Sequence, residues 1–169
     1  MKWTTKNMAL CAVLAALALG LSTLENLFPV TALVPVPGVK LGLANIVTVF
    51  ALYRLGAPEA LAILLVRCAL GGLFAGNVSA LLFSTLGGLC AMGVMILLRR
   101  WRRLSVYGVS IGGAAAHNIG QMAAAVITLD STMVLGYLPF LLALSLFTGT
   151  LTGFVTALLL RATSHIRFR

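Results

Sequence analysis

Apolar residues fill this chain in long blocks without the strict alternation of strands, and charge, proline or glycine cuts one block from the next. Read as helices, the blocks fall at 7–28, 41–55, 58–76, 78–98, 105–128 and 134–160. An α-helix needs about 20 mostly apolar residues to cross a hydrocarbon core of about 30 Å, and five of the six approach or exceed that length. The expected fold is all-α: a bundle of six transmembrane helices forming a single transmembrane domain over residues 1–169. The first block follows Lys2 and Lys6 like a signal peptide, but it runs past Leu24 without a small-residue cleavage site. It reads as a retained helix.

Charge orients the bundle. With the amino terminus in the cytoplasm and the helices alternating, Lys2, Lys6, Arg54, Arg99, Arg100, Arg102, Arg103, Arg161, Arg167 and Arg169 fall on one side. Ten of the twelve Lys and Arg residues then obey the positive-inside rule, leaving Lys40 outside and Arg67 within the membrane. Both termini are therefore expected in the cytoplasm, and the chain in a bacterial plasma membrane as a multi-pass protein. Trp3 and Trp101 fall at the inner interface, where amphipathic rings are favoured.

Composition agrees. At 61% hydrophobic, 9% charged and a mean hydropathy of +1.10, the chain has too little polar surface to cover a soluble globule. The net charge of +9 is explained by topology, so a nucleic-acid partner is not expected. Cys11, Cys68 and Cys90 lie inside apolar blocks without a CxxC pair and read as small packing residues.

The stretch 29–38 is apolar and carries three prolines, so it cannot continue a regular helix. It is expected either to fold back over the bundle as an outer cap or to rest on lipid headgroups. Small residues recur four apart: Ala12, Ala16 and Gly20; Gly108, Gly112, Ala116 and Gly120; Gly72 and Gly76; Gly149 and Gly153. Such stripes let helix backbones approach closely, most of them inside the bundle itself.

Candidate chemistry lies in polar residues that hydrocarbon should not contain. Arg67 falls near the middle of the third helix, where a charge costs about 2.5 to 3.5 kcal/mol on insertion scales and needs an internal partner. That partner is either an anionic ligand or backbone carbonyls. His117, Asn118 and Gln121 share a narrow arc of the fifth helix, since positions four apart lie on one face. Glu25, Asn26, Lys40, Asn45 and Asn77 converge on the outer half, although Glu25 could pair with Lys40 and Asn77 could cap the fourth helix. Together these residues outline a substrate-binding pocket open to the outside. Glu59, after Pro58, complements a helix dipole at the inner face and is given no substrate role. Asp130 marks an outer turn. No ligand set for a metal is spaced along the chain, no cofactor is implied, and no nucleophile or phosphate loop occurs. Catalysis by this chain alone is not expected.

The segments Pro37-Gly-Val-Lys-Leu-Gly-Leu-Ala-Asn45, Arg67-Cys-Ala-Leu-Gly-Gly-Leu-Phe-Ala-Gly76 and Gly112-Gly-Ala-Ala-Ala-His-Asn-Ile-Gly-Gln121 resemble those of the Gx transporter family. Its members carry the label heptaprenyl diphosphate synthase component I and are similar to substrate-binding components of energy-coupling factor transporters. The resemblance covers most of the chain. It implies a membrane component that binds a small vitamin or precursor and docks on a transmembrane coupling subunit driven by a pair of ATPases. In such components an AxxxA motif on the first helix meets the coupling subunit, and Ala12 and Ala16 match it. The 29–40 segment would correspond to an outer gate. The other readings are a non-catalytic accessory subunit of an isoprenoid or quinone pathway enzyme, whose polar arc meets a lipid headgroup, and a structural subunit of a larger assembly.

Overall fold

A computed structural model describes residues 5–25, 42–101 and 103–166. Six α-helices form the bundle: α1 Thr5–Glu25, α2 Asn45–Arg54, α3 Ala57–Ala75, α4 Val78–Arg99, α5 Val106–Leu129 and α6 Leu138–Ala162. No strand occurs among the described residues. Four stretches are long and apolar enough to cross a bilayer: α1, α3, α4, and Thr132–Ala162, which joins a 3-10 turn to α6. Helix α5 has the length, but its polar arc dilutes its apolar character.

Two elements depart from the sequence expectation. The second helix starts at Asn45 instead of residue 41, and its ten residues rise only about 15 Å, half of a hydrocarbon core. The sixth starts at Leu138, with Pro139 in its first turn and the 3-10 turn Thr132–Tyr137 ahead of it. Proline fits a first turn because its missing N–H would be unsatisfied there anyway. The segment expected to cap the bundle lies outside the described residues.

Helix α2 is the axis of the fold. Every residue from Asn45 to Leu52 is buried, and α1, α3, α4, α5 and α6 all touch the helix. A helix apolar on all sides needs neighbours on all sides. One core cluster joins Val47, Phe50, Ala51 and Leu52 of α2 to Leu14 and Ala18 of α1, Ile63 and Leu64 of α3, and Met92 and Met95 of α4.

Arginines fasten the end of the bundle where α2, α4 and α6 terminate. Arg54, last in α2, donates from Nη2 to the Leu160 carbonyl (2.8 Å) and to Thr163 Oγ1 (3.0 Å). Arg99, last in α4, donates to the Leu52 carbonyl and lies 5.0 Å from the ring centroid of Tyr53. Helix C-termini present unsatisfied carbonyls and partial negative charge, which these guanidinium groups meet. The positive side of the protein is thus partly a set of interhelical caps.

Glycines set the crossings. A Cβ built on Gly120 of α5 would stand 2.6 Å from the Leu86 carbonyl oxygen and 2.8 Å from the Gly87 Cα of α4. One built on Gly149 of α6 would stand 2.5 Å from the Ile111 Cα of α5. In both cases the obstacle is backbone, so a rotamer change cannot relieve it. Gly120→Ala is expected to destabilise the bundle by about 1 to 3 kcal/mol, seen as a lower unfolding midpoint in detergent. Gly20→Ala serves as the control, because among the described residues a Cβ there meets nothing within 4 Å.

Candidate functional site

The polar groups collect at one height. The starts of α3 and α5 and the end of α4 share one end of the bundle. At 1.5 Å per residue, Arg67, His117 and the Gly87-Gly88 pair all lie about 15 to 18 Å from it, near the middle of a hydrocarbon core.

The α4 glycine pair links two parts of the cluster. On the Gly87 side, a Cβ would stand 2.9 Å from His117 Cε1 and 3.0 Å from both His117 Nδ1 and Gln121 Cγ. The imidazole and the Gln121 stem therefore rest directly on α4 backbone. On the Gly88 side, a Cβ would stand 2.6 Å from Leu64 Cδ1 and 3.6 Å from Arg67 Nη2. Arg67 and His117 thus flank adjacent residues of one helix.

Arg67 is 5% exposed, and among the described residues neither its Nε nor its Nη2 has a hydrogen-bond partner. A guanidinium held this way is costly, since a buried charge loses several kcal/mol of hydration that only pairing returns. Its neighbour Cys68 spends its thiol on the Ser84 carbonyl, at 3.4 Å.

The amino end of α2 reaches the same cluster. Gly42 adopts a φ of +85°, a conformation that favours glycine, and a Cβ there would stand 3.1 Å from Asn45 Nδ2 and 3.2 Å from His117 Cδ2. The backbone N–H groups of Gly42 and Leu43 both donate to Oε1 of Glu25, the second at 3.0 Å. Glu25 is only 3% exposed, so its carboxylate serves as an acidic cap, seventeen residues upstream, for the positive end of the half-helix. Asn45 is 5% exposed, and its Oδ1 lacks a partner among the described residues.

Of the expected site residues, His117, Gln121, Asn45 and Glu25 come together around the amino end of α2 and Gly87, while Arg67 lies at the adjacent Gly88, on a face of α4 turned about 100° away. Asn118 is buried, but its Nδ2 donates to the Leu141 carbonyl at 2.8 Å. It therefore ties α5 to α6, because a neighbouring position on the helix points about 100° away from His117. Asn77 stands apart: it is exposed and caps α4 by accepting from the Ser79 N–H at 2.8 Å. Asn26 and Lys40 lie outside the described residues. Ala12 and Ala16 are exposed on α1, as is Gly20. Beside them a groove of about 250 Å³ runs between α1 and α3, lined by Met8, Cys11, Ala12, Ala15, Ala62, Ile63 and Val66.

Several features escaped the sequence reading. Glu59 lies in the first turn of α3, as expected of a dipole complement, but it is also buried at 5% exposure, with an Oε2 that has no partner among the described residues. Gly42, Gly87 and Gly88 back the polar groups. The only available signal was glycine beside polar residues at matching helical depth.

This region supplies several kinds of hydrogen-bonding group. It offers a cationic donor, an imidazole, amides and a backbone-capped carboxylate in a low-dielectric setting where each interaction is strengthened. Among the described residues no group of three or more His, Cys, Asp or Glu side chains could hold a metal ion.

No curated protein and no solved structure is significantly similar to the chain. The family model described as heptaprenyl diphosphate synthase component I matches residues 14–159, from within α1 to within α6. Because that match covers most of the chain and reaches part or all of each of the six helices, the chain belongs to the heptaprenyl diphosphate synthase component I family.

Proposed function

We propose that this protein is the substrate-binding membrane component of an energy-coupling factor type importer for a small vitamin or precursor with an anionic or hydrogen-bonding end. The observation that carries the reading is the collection of buried polar side chains at mid-bundle height around the amino end of the half-helix α2. Discontinuous helices that end among polar groups at mid-membrane are a recurrent way to build ligand sites in transporters. Arg67, His117, Gln121 and Asn45 contact the ligand, and Glu25 holds the half-helix that presents them. Asn26 and Lys40 border the entrance from outside, Asn77 and Asn118 support the framework, and substrate passes inward through both plasma-membrane leaflets.

In this reading the exposed Ala12 and Ala16 receive a transmembrane coupling subunit, powered by a pair of ATPases, while membrane lipid covers the remaining apolar faces. Large side chains dominate those other faces, including Leu73, Phe74, Phe147 and Ile127. A strip of alanine there admits a neighbouring helix backbone more closely than it suits lipid.

The family description favours a second reading: an accessory, non-catalytic subunit of a synthase that makes heptaprenyl diphosphate. Gentle affinity purification from native membranes separates the two. Transport predicts recovery of a transmembrane protein with ATPases, lost on Ala12→Leu with Ala16→Leu. Recovery of a prenyltransferase chain instead would favour the synthase reading and end the transport one.

A further inference from the structure

Arg67 offers its unpartnered hydrogens along a particular edge. Nε and Nη2 share one edge of the planar guanidinium and point their N–H bonds in parallel, the side-on fork that matches the two oxygens of a carboxylate or the paired oxygens of a phosphate. Both atoms are shielded from solvent, and the residue is 95% buried by its 5% exposure. The charge carrier nearest in kind, the Glu25 carboxylate, is already engaged on the Gly42 and Leu43 N–H groups. The other buried carboxylate, Glu59, lies two helical turns from Arg67 in α3. Two features of this region therefore attract oxyanions: the amino end of α2, which the chain fills with its own carboxylate, and the Arg67 fork, which the described chain leaves unfilled.

We propose that the ligand of this site carries a single oxyanion, a carboxylate or a phosphate, which takes the Nε–Nη2 edge of Arg67 in a two-pronged contact. This rests on the binding reading above and narrows it to a chemical class. A single guanidinium balances a monoanionic group, whereas a second charge on the ligand would find no partner in Arg67. A lysine in the same place would keep the positive charge and lose the fork, so geometry as well as charge sets the selectivity.

The proposal is tested on the full-length protein in zwitterionic detergent, labelled with ¹⁵N at arginine Nε, the Arg67 signal being assigned by its absence in Arg67→Lys. Acetate, benzoate and inorganic phosphate are titrated at constant ionic strength against chloride. A saturable shift of the Arg67 Nε–H resonance with a carboxylate or phosphate, absent with chloride, is expected. Native mass spectrometry of the unlabelled protein should show a retained oxyanionic molecule, bound at least tenfold more weakly by Arg67→Lys. Repeating the titration in nanodiscs with phosphatidylglycerol, against phosphatidylcholine, distinguishes the sources: a shift with the anionic lipid alone assigns the fork to a phospholipid headgroup. A neutral or cationic retained molecule, with no shift from any oxyanion, overturns the proposal while leaving a binding protein. No retained molecule and no shift overturns both.

Discussion

Arg67→Met should yield a ligand-free protein that unfolds at a higher temperature in detergent than the parent, while binding its small molecule far more weakly. Nε and Nη2 of Arg67 have no partner among the described residues, so the apolar replacement removes an uncompensated charge and leaves no orphan behind. Insertion scales put the cost of such a charge at about 2.5 to 3.5 kcal/mol, which bounds the stabilisation. Truncating a buried charged contact costs a ligand about 2 to 5 kcal/mol of affinity. Opposite signs for stability and binding are the signature of a residue kept for function at the expense of folding. If Arg67→Met instead destabilised the ligand-free protein, Arg67 would be a structural hub and the site would lose its anchor. Calorimetric or fluorescence unfolding of purified, ligand-depleted protein reads the first sign, and ligand titration reads the second.

Glu25→Ala should act in the reverse direction. It deprives the Gly42 and Leu43 N–H groups of their acceptor at the buried end of α2. Each orphaned donor costs about 1 to 3 kcal/mol, partly offset by removal of a buried charge, so a loss of about 2 to 4 kcal/mol is expected. Glu25→Gln keeps an acceptor oxygen without the charge and should recover about half of it. Amide hydrogen exchange locates the effect: faster exchange at Gly42 and Leu43 in the alanine variant, with the α4–α5 crossing unchanged. Uniformly faster exchange through the bundle would mean that Glu25 supports the whole fold instead of the half-helix.

The legible part of this protein was its membrane patterning. Long apolar blocks, the one-sided distribution of arginine and the mid-helix Arg67 were enough to place six helices and to single out a buried charge. The limits were equally physical. Helix α2 is shorter than its apolar block because apolarity marks burial without distinguishing helix from an irregular stretch, and Gly42 with its φ of +85° lies just before the helix. Asn118 looked like part of the His117 arc, yet one residue of rotation carries it to the Leu141 carbonyl. Asn77 proved to be a helix cap because Asn serves equally well as cap and as ligand, and only its exposure decides. Arg54 and Arg99 read as topology anchors, while their long side chains also reach carbonyls on neighbouring helices. Contacts between distant segments, including Glu25 with Gly42, depend on tertiary approach that no local spacing encodes.

One buried guanidinium facing a small oxyanion in mid-membrane is the core of this account, and native mass spectrometry of the gently solubilised wild-type protein beside Arg67→Met reads it directly. A discrete small-molecule adduct is expected on the wild type and is depleted from the variant, although the variant remains folded. An adduct of the same mass held equally by both proteins would contradict it.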